Sequence, residues 1–268
     1  MIAFPDIDPV ALQLGPVAIH WYGLAYVAAI GLGWWYLRWQ AVDTAGSWSP
    51  DDVADVVFYA AVGGVLGGRI GYGLFYNLPS YLSDPLAIFA VWQGGMSFHG
   101  GLVGIVIALW FFCRARDHSF VRTTDFLIPA IPIGLGLGRV ANFINQELWG
   151  APSELPWAVV FTHPAAGALA RHPSQLYEAV LEGVVLFVAM YLLVRVRPRT
   201  GVITGIFLCA YGAIRFAIEF VREPDAHLGY LHGGWLTMGQ VLSTPMLIAG
   251  IGFVFWATRR ARPDERVG

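Results

Sequence analysis

Three arginines, Arg69, Arg139 and Arg215, stand inside long apolar runs. A charge at the centre of a bilayer costs at least about 2.5–3.5 kcal/mol, so such residues need a partner. Arginine keeps its proton in any protein environment and grips a phosphate or carboxylate through two parallel hydrogen bonds. The chemistry these residues suggest is recognition of an anion at membrane depth. The competing reading of any one of them is structural: snorkelling to headgroups, or pairing with Glu and backbone carbonyls.

Other polar residues fall at helical spacings around the same three. Tyr211, Arg215, Glu219 and Arg222 are four, four and three apart, which places them on one helix face. Arg139 and Asn142 share another face, and Glu147 lies just beyond, within reach to fold back over them. Glu219 reads either as a neutralising partner of Arg215 or as a functional carboxylate. Asn145 and Gln146 read equally as loop caps. Arg171, His172, Ser174, Gln175, Tyr177 and Glu178 cluster in RHPSQLYEA, and Glu178 and Glu182, four apart on one face, read either as counter-ions for the arginines, the favoured reading, or as a packed polar seam. Tyr22 lies near the start of the first apolar run. His99 sits in GGMSFHGGLVG at a predicted helix start, where free N–H groups and glycines admit an anion. It reads equally as a hydrogen-bonded structural histidine. Cys113 and Cys209 lie in apolar runs with neither metal nor disulfide spacing.

The elements that must position these residues follow from composition. Of 268 residues, 57% are hydrophobic and 13% charged, against about 25% charged in a soluble domain. That balance indicates an all-α integral membrane protein. The net charge of -2 gives no basic field for nucleic acid, and all 16 cationic side chains are Arg. The N-terminal MIAFPDIDPV lacks a basic stretch followed by an apolar one, so it does not read as a cleavable signal, and the first span is expected to direct insertion.

Seven runs approach the roughly 20 residues a spanning helix needs: Val17–Leu37, Val53–Phe75, Ser97–Cys113, Phe126–Ile144, Leu176–Val194, Val202–Val221 and Leu236–Thr258. With the N-terminus external, cytoplasmic segments hold Arg38, then Arg114, Arg116 and Arg122, then Arg195, Arg197 and Arg199, then Arg259, Arg260, Arg262 and Arg266. External segments hold only Arg171 and Arg222. The positive-inside rule therefore favours a periplasmic N-terminus and a cytoplasmic C-terminus. In that topology Arg69, Arg139 and Arg215 each lie roughly six residues before an outer helix end, on the order of 9 Å below it. Residues 145–175 are expected to form a small external cap within a single transmembrane domain, 1–268. Glycines within the spans read as helix packing. Taken alone, an outward-opening pocket of Arg, His, Tyr, Asn and Glu suits an anionic lipid headgroup, and equally a small anion moving through a transporter.

The segment GRVANFINQELWG resembles the signature of the bacterial phosphatidylglycerol–prolipoprotein diacylglyceryl transferases. HWYGLAY, GGRIGYGLFYN, GGMSFHGGLVG, RHPSQLYEA and RFAIEFVREPDAHLG resemble that family in the same order, so the likeness covers nearly the whole chain. Ala141 stands where the family usually has Gly, and the segment after Trp149 is shorter than in some members.

The resemblance implies a seven-helix enzyme of the bacterial inner membrane that needs no metal or organic cofactor. Such an enzyme moves diacylglyceryl from phosphatidylglycerol to the lipobox cysteine of a prolipoprotein signal peptide, releasing glycerol phosphate, as the first step of lipoprotein maturation. It carries catalytic roles to Tyr22, His99, Arg139, Glu147, Arg215 and Glu219. It carries phosphatidylglycerol contacts to Arg139, Asn142, Gly150, Tyr211, Arg215 and Arg222. The rival functions are an anion transporter and a lipid-binding scaffold that forms no thioether.

Overall fold

The computed structural model describes residues 1–43, 47–90, 94–224 and 229–259. Arg260, Arg262 and Arg266, and part of the RFAIEFVREPDAHLG motif, lie outside them. The chain is mostly helical. Five helical stretches are long and apolar enough to cross a membrane: Pro50–Phe75, Phe98–Arg116, Phe120–Ile144, Ser174–Arg195 and Met238–Arg259. Val202–Ile218 is apolar but shorter. Each falls on one of the expected spans. The first expected span begins later than its apolar run: Val17–His20 is a strand, and the helix runs Trp21–Asp43. Its many Trp and Tyr residues lower its hydropathy, so length rather than apolarity marks it.

The helices are α1 (Trp21–Asp43), α2 (Pro50–Phe75), α3 (Leu78–Ser83), α4 (Phe98–Arg116), α5 (Phe120–Leu127), α6 (Ile131–Ile144), α7 (Ser174–Glu178), α8 (Leu186–Arg195), α9 (Val202–Ile218) and α10 (Met238–Arg259). Short strands accompany them: β1 (Ile2–Ala3), β2 (Val10–Leu14), β3 (Val17–His20), β4 (Val159–Val160) and β5 (Ala170–Arg171). β2 and β3 form an antiparallel hairpin, and β4 pairs parallel with β1 and antiparallel with β5.

Two compact units emerge: residues 34–123, and residues 1–33 with 124–268. In the first unit α2 opens on a capping box, with Ser49 and Asp52 exchanging bonds. Here α2 and α4 meet through small residues. A Cβ on Gly67 would stand 2.4 Å from the Gly100 carbonyl oxygen, and one on Gly104 would stand 2.1 Å from that of Gly63. Small residues spaced by four thus let two helix backbones touch, as membrane helices commonly do.

In the second unit Pro129 and Pro132 remove backbone donors, and a 3-10 turn, Ile128–Ala130, separates α5 from α6. Asp125 on α5 accepts from the backbone N–H groups of Gly201 and Thr204, capping α9. Ile128, Leu186, Met190, Ile203 and Phe207 pack as one apolar cluster, with Tyr211 and Ile214 among the residues against it. Between α7 and α8 the chain widens into a π-helix, Ala179–Val185. Residues 145–175 carry β4 and β5, and Phe4 from the N-terminal strand region packs with Val159, Phe161 and Ala166 in a second small apolar cluster.

Candidate functional site

A glycine contact sets the site. A Cβ on Gly183, in the π-helix, would lie 2.7 Å from the Gly136 Cα on α6. Backbones this close bring Arg139, one turn beyond Gly136, against the two carboxylates that precede Gly183, Glu178 and Glu182. Arg139 Nε lies 2.6 Å from Glu178 Oε2 and 3.2 Å from Glu182 Oε2. Arg215, from α9, reaches the other oxygens of the same two carboxylates: Nη1 is 3.2 Å from Glu178 Oε1 and 3.4 Å from Glu182 Oε1. Its Nη2 is 2.8 Å from Glu219 Oε1, one turn along. Arg222 Nη1 stands 4.0 Å from both Glu178 and Glu219. The expected counter-ion role of Glu178 and Glu182 is therefore what the structure shows, and Glu219 neutralises Arg215.

Three arginines and three carboxylates balance in charge. Glu178 and Glu182 are fully buried, whereas the arginines keep partial exposure. Burying such pairs costs several kcal/mol per ion in desolvation, which packed apolar residues would avoid. A network held against that cost is a candidate for function. Arg139 engages these carboxylates only through Nε, and among the described residues its two terminal nitrogens have no partner. They offer the edge of the guanidinium that binds a phosphate bidentately.

Glu219 is held from a second side. Thr237 Oγ1 donates to its Oε2 at 2.7 Å, while the Gln240 N–H donates back to the same hydroxyl at 3.3 Å. A Cβ on Gly239 would lie 2.3–2.5 Å from the Glu219 carboxylate atoms, so only glycine leaves room for it. A cleft of about 170 Å³ opens here, lined by Arg215, Glu219, Arg222, Thr237, Gly239 and Leu242 among others. Thr237 and Gly239 escaped the sequence reading, although the Thr-x-x-Gln start of α10 is a recognisable capping signal.

The signature segment ends α6. Asn142 Nδ2 donates to Glu147 Oε1 at 2.7 Å, so Glu147 does fold back. The Tyr22 hydroxyl lies beside Tyr26, Asn142 and Glu147. Tyr211 stacks on Phe207 with ring centroids 5.8 Å apart, within electrostatic reach of Arg139 and Arg215. Gly150 is a packing position: its N–H donates to the His172 carbonyl at 2.9 Å, and a Cβ there would meet the Val221 oxygen at 2.5 Å. Gly150 also bridges to Arg222 through its backbone.

Arg69 and His99 belong to the other unit, residues 34–123. Arg69, in the other unit, spends its donors on backbone carbonyls: Ile88 at 2.9 Å, Ala87 at 2.6 Å, Gly95 at 3.0 Å, and Gly94. It is a structural clamp on the loop before α4. His99 is exposed in the first turn of α4, where Ser97 caps the Gly100 N–H. Within its unit the one ring or hydrogen-bond contact of His99 among the described residues is with Phe98.

Arg171 is buried and also structural. It donates to the Ala166 and Gly150 carbonyls and pairs with Glu223 at 2.6 Å, which also accepts from Trp149 Nε1. Burial pushes the His172 imidazole below its usual range, favouring the neutral ring. Trp157 Nε1 donates to the Tyr177 oxygen at 2.8 Å, and the same hydroxyl lies in hydrogen-bond contact with His172 Nδ1 at 3.3 Å. Among the described residues no group of three His, Cys, Asp or Glu is arranged to hold a metal ion.

The profile of the prolipoprotein diacylglyceryl transferase family matches residues 9–256. A phosphatidylglycerol–prolipoprotein diacylglyceryl transferase of Pseudomonas paraeruginosa is 53% identical over 260 residues, covering 97% of each chain. Those of Azotobacter vinelandii and Pseudomonas fluorescens are 51% and 49% identical, over 97% and 98% of this chain and 98% of each of their own. The chain belongs to the prolipoprotein diacylglyceryl transferase family.

Proposed function

We propose that this protein transfers the diacylglyceryl group of phosphatidylglycerol to the lipobox cysteine thiol of a prolipoprotein, the first step of lipoprotein maturation. The carrying observation is Arg139, fixed through Nε by two buried carboxylates with its terminal nitrogens left open. The thiolate sulfur attacks the glyceryl carbon that bears the phosphate oxygen. A carbon–sulfur bond forms, the carbon–oxygen bond breaks, and glycerol phosphate leaves with the bonding pair. Charge on the departing phosphate grows as that bond stretches. Arg139 and Arg215, already oriented in a low-dielectric site, favour the transition state over the singly charged phosphodiester.

Asn142 and Tyr22 orient the headgroup, Glu147 and Glu219 fix their neighbours, and Tyr211, Gly150 and Arg222 border the lipid site. His99 accepts the thiol proton, since only the thiolate is a strong nucleophile and an imidazole is the commonest general base. The chain is one transmembrane domain of the bacterial inner membrane, crossing seven times with α1 and α9 as spans. Its N-terminus and the 145–175 cap lie on the periplasmic side, which the arginine distribution supports.

The test is to incubate purified protein with phosphatidylglycerol vesicles and a lipobox peptide, then weigh the peptide. A mass gain of one diacylglyceryl group separates transfer from transport and from simple lipid binding. Arg139→Ala is expected to abolish the gain while the protein still inserts, and a wild-type rate in that variant would remove the phosphate assignment.

A further inference from the structure

We propose that Ser174 and Gln175 are positioning residues of the transfer reaction, which aim Glu147 at Asn142 by clamping the turn that carries it. The inference rests on the reading of Asn142 as a headgroup contact that Glu147 fixes in place. It starts from backbone geometry. After α6 ends at Ile144, Gln146 and Leu148 both adopt left-handed backbone, with φ of 51° and 59°. That region is unfavourable for a side chain as bulky as leucine. Such geometry persists only where the surroundings over-determine it.

The surroundings here can be named. Gln175 Nε2 donates to the Glu147 carbonyl at 2.7 Å, and Ser174 Oγ donates to the Leu148 carbonyl at 3.0 Å. Both side chains belong to fully buried residues, so water does not compete for these bonds. On the other flank the Gln146 side-chain oxygen accepts from the N–H groups of Thr162 at 2.7 Å and His163 at 3.0 Å. The Glu147 N–H donates to the Asn142 carbonyl at 3.0 Å. The outcome is a carboxylate folded back onto the Asn142 amide.

The two donors hold the carbonyls of Glu147 and Leu148 themselves. Without them Gln146 and Leu148 are free to return to ordinary backbone, which turns the Glu147 carboxylate away from Asn142. One turn further along the same helix, Glu178 holds Arg139 and Arg215. A single short helix therefore sets the headgroup contacts with its first turn and the arginine pair with its next.

The test is a double-mutant cycle on Gln175→Leu, Ser174→Ala and Glu147→Gln, measuring kcat and KM with phosphatidylglycerol vesicles and a lipobox peptide. Gln175→Leu is expected to lower kcat by about tenfold or more with KM for the peptide changed less than about twofold, as misplacing a reacting group does. In the Glu147→Gln background the same substitution is expected to change kcat by less than about twofold, because residues acting through one group are not additive. Ser174→Ala follows the same pattern and Ser174→Thr, which keeps the hydroxyl, restores the rate; this pair carries the comparison if Gln175→Leu fails to fold. A full, additive loss in the Glu147→Gln background, or an unchanged kcat in Gln175→Leu and Ser174→Ala, overturns the clamp alone. A wild-type kcat in Glu147→Gln itself overturns the reading of Glu147 instead.

Discussion

Glu178 sits buried between two arginines, with Oε2 2.6 Å from Arg139 Nε and Oε1 3.2 Å from Arg215 Nη1. Glu182, one turn later, repeats the arrangement on the same two cations at 3.2 and 3.4 Å. The pair of carboxylates fixes the separation of two guanidinium groups that come from different helices. Neutralising Glu178 leaves cationic charge uncompensated in a low-dielectric site. Glu178→Gln is therefore expected to destabilise the protein, toward the roughly 3–5 kcal/mol typical of breaking a buried ion pair. Glu182 shares both arginines and softens the loss. Thermal melting of the detergent-solubilised variant measures it, and an unchanged melting temperature would show that Glu182 suffices.

His99 stands in the first turn of α4, exposed, with Phe98 as its ring contact. If it takes the thiol proton, its loss removes the reaction's dependence on an imidazole. His99→Gln is expected to lower kcat by about 10²-fold or more, the usual scale of general-base catalysis. The residual rate should then rise with pH as the thiol ionises on its own. A variant that keeps its wild-type rate across pH 6–9 would end the base assignment.

Gly239 faces the Glu219 carboxylate, and any Cβ there would meet it at 2.3–2.5 Å. The carboxylate is not the loose end of a flexible chain, because Thr237 Oγ1 and Arg215 Nη2 hold both of its oxygens. Gly239→Ala must displace Glu219 and with it Arg215. A fall in kcat by about 10²-fold is expected, since a displacement near 1 Å is enough for that. Gly138 is the control: nothing lies within 4 Å of a Cβ there, so Gly138→Ala should be tolerated far better. Equal rates in the two variants would show that Glu219 has room to move.

The helices were legible because apolar length is a long-range signal, and every expected run has a helix on it. The hairpin was not, because VAIH of β3 continues directly into the apolar α1 and reads as part of one run. β1, β4 and β5 are two residues each, too short for alternation to register. In the site, helical spacing exposed the Arg215–Glu219 pair and the Arg139–Asn142 face. It also marked Glu178 and Glu182 as counter-ions. It did not resolve Arg69 from Arg139, since both are single cations in glycine-rich helices. Only the three-dimensional positions of Ala87, Ile88, Gly94 and Gly95 reveal that their backbone carbonyls absorb Arg69. Gln175 and Gly239 act across gaps of 28 and 20 residues, on Glu147 and Glu219. No local periodicity carries such distances.

The last expectation concerns acid. His172 lies outside the spans, and burial holds its imidazole below the ordinary value of 6.5. The unfolded chain therefore takes up this proton before the folded one does. As pH falls through about 6.5 the unfolded state gains protons that the folded state lacks, so stability decreases, until the folded ring titrates in turn. Above that range the residue contributes no slope. Wild-type melting temperature is thus expected to fall more steeply between pH 7 and 5 than that of His172→Gln, which has no ring to protonate. Parallel pH profiles for the two proteins would show that His172 is protonated as freely in the folded chain as in the unfolded one.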